Sequence, residues 1–220
     1  MSLKTKNLLD LTHTSASDYL ERFEYPWQAL KGISEFIKSL GKTLDGDYTE
    51  IKENIWIHKD ARVFESAYIA PPCIICKDAE IRHCAFIRGS VLVGEGAVVG
   101  NSTELKNVIL FDNVQVPHYN YVGDSILGYK AHMGAGSITS NVKSDKTLVV
   151  VKSDKEKIET GLKKFGAIIG DNVEIGCGSV LNPGTIIGRE SNVYPLSSVR
   201  GYVPEGSIYK KQNEIVEKKG

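Results

Sequence analysis

The sequence predicts a mainly β fold in which short strands wind into a parallel β-helix, preceded by a short N-terminal helical segment. Three observations predict it. An apolar residue returns at every sixth position through Ile57, Val63, Ile69, Ile75, Ile81, Ile87, Val93, Val99, Leu105 and Phe111. The residue four places beyond each is usually small or β-branched, as at Ala61, Ala67, Cys73, Ala79, Ala85, Val91, Ala97 and Thr103. Residues 1–50 lack this period and show helical spacing instead. Positions six apart would rotate around a helix of about 3.6 residues per turn, so they cannot share a helix face. Six residues do make one short strand and one tight turn. Three such units close a triangular coil with the apolar position pointing inward on every side. No coil buries its core alone, so stability comes from stacking coil on coil.

Residues 1–50 come first. TSASDYLERF offers a helix N-cap at Ser15 or Ser17. In YPWQALKGISEFIKSLGK, Pro26 suits a first helical turn and Gly41 a stop. Leu30, Ile33, Ile37 and Leu40 recur at helical spacing. We expect two helices on or near the first coil, acting as a cap or linker, because solenoid ends need atypical cover. Residues 51–205 form the β-helix. The period breaks within 117–141, PHYNYVGDSILGYKAHMGAGSITSN, where Pro117 and Gly123 occupy in-phase positions and apolar residues return at Val122, Leu127 and Met133. A repeat that breaks its own rule at a His, two Tyr and several Gly is where chemistry is expected. Residues 142–166 are charged and Lys-rich around Val149, Val150 and Val151, and are expected to leave the coil as an inserted loop with a short hairpin. Coils resume at Ile169, Ile175, Leu181, Ile187, Val193 and Val199. Residues 206–220 are expected as a polar tail with a short helix.

Twenty-seven basic against twenty-seven acidic side chains give no reason to expect a nucleic-acid or membrane-surface partner. No apolar run approaches the ~18 residues of a spanning helix. MSLKTKNLLDL has no long apolar core or cleavage signature, so a cytoplasmic location is expected. Cys73 and Cys76 form a CxxC without a second pair, and Cys73 occupies a small-residue position. Both are expected to be buried thiols acting as small apolar groups, with no metal bound.

The repeat of an apolar residue, then Gly, Asn or Asp, then a small residue three places later resembles the hexapeptide acyltransferases. That resemblance implies a left-handed coil, which spacing alone does not give. Within that group, ELKNVILFDNVQVPHYNYVGDSILGYKAHMGAGSITSN resembles the acetyltransferase domain of the bifunctional glucosamine-1-phosphate acetyltransferase/UDP-N-acetylglucosamine pyrophosphorylases. The archaeal-type sugar-phosphate nucleotidyltransferases are most similar, through VPHxNYVGDS and a loop ending like TGLKKFGAIIGD. The likeness covers roughly residues 57–205. Residues 1–50 hold no Gly-rich phosphate loop with a following Lys, so uridylyl transfer is not expected.

The resemblance implies acetyl-CoA as co-substrate and an amino-sugar phosphate, of the glucosamine or galactosamine 1-phosphate type, as acceptor. His118 matches the general base, a role suited to a group that titrates near neutral pH. Arg88 and Lys106 match two cationic phosphate ligands. They lie eighteen residues apart, one full coil, which stacks them on one side of the prism. Tyr121 matches a substrate contact, and His132 stands where bacterial members place a sugar-contacting Asn. Ala135 and Asn141, within GAGSITSN, match acetyl-CoA contacts, and Cys177 replaces a small CoA-contacting Ser. The family's loop lysines do not align; Thr147 and Val150 stand there, with Lys146 and Lys152 nearby. A homotrimer is implied, with 142–166 reaching towards a neighbour. The acyl-transfer reading requires Arg88, Lys106 and His118 on one side of the prism.

Two other functions fit a β-helix of this kind. One is a non-catalytic scaffold or regulatory partner of a nucleotidyltransferase. The other is a hydratase like the γ-carbonic anhydrases, which needs three zinc-binding His at subunit interfaces. The five here are His13, His58, His83, His118 and His132, and none follows His118 at the close spacing that family uses.

Overall fold

A computed structural model describes residues 3–153, 157–211 and 214–218. Parts of the expected inserted loop (154–156) and tail (212–213, 219–220) lie outside the described residues. The chain forms a parallel β-helix with three strands per coil, as the period requires. The inward residues stack in register. On the first face Val63, Ile81, Val99 and Val116 align. On the second face Ile69, Ile87, Leu105 and Val122 align. On the third face the stack is Ile57, Ile75, Val93, Leu110 and Leu127. All of these but the partly buried Ile57, Val63 and Ile69 are fully buried.

The two ends are closed in the same way. Tyr48–Lys52 pairs antiparallel with Ile55–His58 of the first coil. At the other end Ser207–Lys211 continues the first face beside Asn192–Val193, and Glu214–Glu217 folds back on it antiparallel. The tail is therefore a hairpin, not the expected helix. Tyr209 takes an inward position over Val193 and is 3 % exposed, so the core continues past residue 205. An antiparallel strand turns the open hydrogen-bonding edge of the last coil into a paired one.

The third face differs from the other two. Its strands Cys73–Ile75, Val91–Val93, Ala167–Ile169 and Thr185–Ile187 are buried at every residue, whereas strands on the other faces alternate. Apolar pairs explain this: Ile74–Ile75, Leu92–Val93, Ile109–Leu110, Ile126–Leu127, Ile168–Ile169 and Ile186–Ile187 present one residue inward and one outward. The N-terminal segment covers the outward set. It is not confined to the first coil. Arg189 meets the Lys6 carbonyl, the Asp10 N–H meets Asp171, His13 stacks on Tyr129 at 3.7 Å, and the Asp112 N–H meets the His13 carbonyl. The segment thus descends the prism before turning onto the third face. A short helix, Ser17–Leu20, leads to a 3-10 turn at Pro26–Gly32 that runs directly into the helix Ile33–Gly41. Gln28 accepts the Tyr25 N–H at 3.0 Å where the turn begins. Trp27, Leu30, Ile33 and Ile37 are buried. Gly41 is required at the helix end, since a Cβ there would strike the Trp56 ring.

Cys73 and Cys76 are buried, and burial pushes both thiols up, Cys76 to about 11. No described helix is long and apolar enough to cross a membrane.

Candidate functional site

The break in period falls earlier than the sequence suggests. Val116 still pairs with Val99. The residue is lost between Leu105 and Leu110, and again between Val122 and Leu127. At both places the strand does not stop at the corner. Glu104–Leu110 and Tyr121–Leu127 run from the second face through to the third. The corner residues are Asn107 and Asp124, with φ of 56° and 48°. Asn and Asp are the non-glycine residues that best tolerate this left-handed region. Neighbouring coils use glycine at the same corner, Gly89 at φ 91° and Gly184 and Gly201 at 80°.

These corner side chains form a ladder. Asn107 Nδ2 donates to Asp124 Oδ1 at 2.9 Å and to the Leu30 carbonyl at 3.1 Å. Asn141 Nδ2 donates to Asp124 Oδ2 at 2.5 Å and to the Tyr121 hydroxyl at 3.2 Å. Lys106 Nζ stands 4.0 Å from Asp124 Oδ2. A carboxylate that is 5 % exposed is tolerable because both oxygens are occupied.

Arg88 and Lys106 lie one above the other beside this ladder, as the eighteen-residue spacing requires; the Arg88 N–H meets the Leu105 carbonyl at 2.8 Å. Gly123 is next in that row. Its missing side chain leaves room for the Tyr121 hydroxyl, which a Cβ at Gly123 would displace. Burial, then Asp124 and Glu104, raise the Tyr121 phenol above its usual 10.0. Arg88 is held by Glu104 at 2.6 Å. Lys31, from the 3-10 turn, and Lys164, from the end of the inserted segment, join Arg88 and Lys106 in lining a cavity of about 400 Å³ with Asn107 and Asp124. Four cations therefore face one buried carboxylate.

His118 is not in that lining. It ends the first-face strand Gln115–His118, so the requirement of one shared side is not met. The chain turns the corner at Tyr119, φ 52°, and Asn120, and then begins the second face at Tyr121. Asn120 is 2 % exposed and fixes that turn: Oδ1 accepts the His118 N–H at 3.1 Å, while Nδ2 donates to the Gly134 and Ser137 carbonyls. Ala135 and Cys177 stack above His118 on this corner, through Gly136 N–H to the His118 carbonyl at 3.0 Å and Gly178 N–H to the Ala135 carbonyl at 2.9 Å. Gly134 allows the close stacking, since a Cβ there would meet the Cys177 backbone.

The sequence-derived residues thus divide into two groups bracketing the second face. Arg88, Lys106, Tyr121 and Asn141 belong to one edge, and His118, Ala135 and Cys177 to the other. His132 joins neither. It lies on the first face with Nδ1 2.6 Å from Glu174 Oε2, because its strand pairs Gln115 and Glu174 rather than any residue of the second face. Lys31, Lys164, Asn107, Asn120 and Asp124 were not anticipated. Among the described residues no three His, Cys, Asp or Glu side chains gather as metal ligands would.

The chain is 32 % identical over 205 residues to the "Bifunctional protein GlmU" of Methanococcus maripaludis (strain C5), covering 91 % of this chain and 50 % of that protein. It is 31 % identical over 175 residues to the "Bifunctional sugar-1-phosphate nucleotidylyltransferase/acetyltransferase" of Sulfurisphaera tokodaii, covering 80 % and 43 %. The chain spans about half the length of the curated relatives it matches. Among solved structures, the polySia-specific acetyltransferase NeuO aligns with a TM-score of 0.47 and 13 % identity over 76 % of this chain and 88 % of that one. The model of the GMPPB C-terminal domain matches residues 69–213, two thirds of the chain, and the chain belongs to that family.

Proposed function

We propose that this protein is an acetyl-CoA-dependent N-acetyltransferase whose acceptor is an amino-sugar 1-phosphate of the glucosamine or galactosamine type. The single pocket expected from the sequence is given up, because His118 does not share a side with Arg88 and Lys106. The reading rests instead on two edges of one face, with a cavity lined by Lys31, Arg88, Lys106 and Lys164 at one edge of the second face and an exposed imidazole, His118, at the other. Tyr121 and Gly123 are two residue steps apart on the strand, a span of roughly 7 Å. A hexosamine 1-phosphate carries its phosphate on C1 and its amine on the adjacent C2, a reach shorter than this span. The long Arg88 and Lys106 side chains would hold the phosphate over the second face, with the amine turned towards His118. Guanidinium and ammonium groups in a half-enclosed cavity suit a phosphate dianion through charge-assisted hydrogen bonds.

In this reading His118 takes a proton from the sugar ammonium. The freed amine nitrogen attacks the thioester carbonyl, the C–S bond breaks, and the coenzyme leaves as the thiol after taking up a proton. The corner column His118–Ala135–Cys177, with small side chains and closely stacked backbone, is the path for the coenzyme, and Asn141 faces the acceptor through Tyr121. Names borne by the relatives, an acetyltransferase among them, support the same reading. The exposed corner at His118 and Tyr119 leaves the coenzyme path open on one side, which a neighbouring subunit in a homotrimer closes.

Thiol release from acetyl-CoA with glucosamine 1-phosphate and galactosamine 1-phosphate tests this. Wild type releases thiol with one of the two, and His118→Ala loses roughly 100-fold or more in kcat. Equal rates in both proteins overturn the assignment of His118. A second reading, a non-catalytic β-helix that only binds a sugar phosphate, draws on the placement of His118 outside the cationic cavity. Saturable binding of glucosamine 1-phosphate with no thiol release in the wild type selects it.

A further inference from the structure

The inserted segment after Asn141 does not stand away from the prism. Val150–Lys152 and Lys157–Glu159 form an antiparallel hairpin, and Val149 and Val151 are buried against the later coils. Two corner glycines admit it. A Cβ at Gly184 would strike the Val149 side chain, and one at Gly201 would come within 3.1 Å of the Lys152 carbonyl. Between this hairpin and the late coils lies a cavity of about 540 Å³.

Its walls are basic and polar. Lys143, Lys152, Lys157 and Arg200 line it, with Asn182 and the single carboxylate Asp145. Asp145 is already engaged, by Lys143 at 3.2 Å and by the Thr147 N–H at 3.0 Å. Among the described residues, Lys152, Lys157 and Arg200 meet no carboxylate. Asn182 is fixed, its Nδ2 donating to Ser198 Oγ at 3.0 Å and to the Val199 carbonyl at 2.9 Å. Cations brought to one cavity by two chain segments, with no carboxylate partner among the described residues, repel each other unless an anion joins them. The walls hold no aromatic ring, so nothing there stacks on a nucleobase.

We propose that this cavity is a second anion site, separate from the Arg88–Lys106 cavity, that takes a compact diphosphate-type group. Arg200 and Asn182 present fixed donors from the coil, and Lys152 and Lys157 close over the ligand from the hairpin. The inserted segment is then a binding element folded onto its own chain. The proposal stands whether or not the protein transfers acetyl groups.

Calorimetric titration with inorganic pyrophosphate tests it. In the Lys31→Ala/Arg88→Ala/Lys106→Ala/Lys164→Ala protein, which strips the first cavity of its four cations, one equivalent of pyrophosphate still binds. Adding Lys152→Ala and Arg200→Ala weakens that binding roughly tenfold or more, the loss expected for charged hydrogen bonds. Arg200→Lys and Lys152→Gln singly, with unchanged thermal midpoints, give smaller losses and separate binding from folding. Competition by coenzyme A identifies the phosphate end of the coenzyme as the natural ligand; lack of competition identifies a free phosphorylated compound. Either result retains the site. Absence of binding in the protein stripped of the first cavity's four cations, or binding untouched by the Lys152 and Arg200 changes, overturns it.

Discussion

The first coils and the middle coils of this prism are made from the same repeat and do different things. From Ile57 to Leu105 the spacing is uniform, and the inward column is wholly apolar. From Leu105 to Leu127 the second-to-third corner loses one residue per coil, and the strands Glu104–Leu110 and Tyr121–Leu127 pass through it unbroken. The inward column stays apolar there, but the corner acquires Asn107, Asp124 and, one coil on, Asn141. Uniform coils solve a packing problem. Where the preceding coil has Gly89 and Ser90, the shortened corner has Asn107 and then Asp124, whose longer side chains accompany a left-handed backbone and carry polar groups into the ladder. A β-helix can therefore gain a site by altering one corner and leave its core intact.

The comparison can be broken at several points, beginning with the core. Leu92→Ala, under the N-terminal helix on the third face, is expected to cost about 2–5 kcal/mol in chemical denaturation, because it opens a cavity between two layers. Phe86→Ala, an exposed position on the second face, is expected to leave stability nearly unchanged. Equal losses would mean that the third face is not a second core. Asp124→Ala comes next. It removes the carboxylate that the Asn107 and Asn141 amides share, at about 1–3 kcal/mol, and weakens sugar-phosphate binding in the same protein. If binding survives while stability falls, the ladder is structural only.

The smallest expected effect concerns Tyr121. Its phenol is raised above 10.0, so it remains protonated throughout the neutral range and contributes no titration there. Tyr121→Phe is expected to lower the rate of acetyl transfer several-fold, the scale of one hydrogen bond of about 0.5–1.5 kcal/mol, while leaving the pH–rate profile between pH 6 and 9 unmoved. A displaced limb would place Tyr121 in the proton path.

Much of the fold was legible because a six-residue period survives one deletion per coil. The covered third face was legible too, in the apolar pairs from Ile74–Ile75 to Ile186–Ile187 that recur once per coil, although the helical segment alone suggested an end cap. The tail escaped because PEGSIYKKQNEIVEKKG mixes polar residues with Ile208 and Tyr209, and only register with Asn192–Val193 makes it a strand. At the site, the stacking of Arg88 on Lys106 follows from arithmetic on the coil. Lys31 and Lys164 do not, since they come from segments without a period and meet the cavity only through tertiary packing. His132 was placed by analogy with an Asn, and the period gives no hint of its contact with Glu174 on the first face.

Calorimetric titration of glucosamine 1-phosphate or galactosamine 1-phosphate, whichever the wild type binds, tests the division of labour most directly when run on three proteins. Wild type and His118→Ala are expected to bind it with the same Kd, while Lys106→Ala binds roughly tenfold or more weakly. The opposite pattern, with affinity lost at His118 and retained at Lys106, would contradict a phosphate site at the shortened corner.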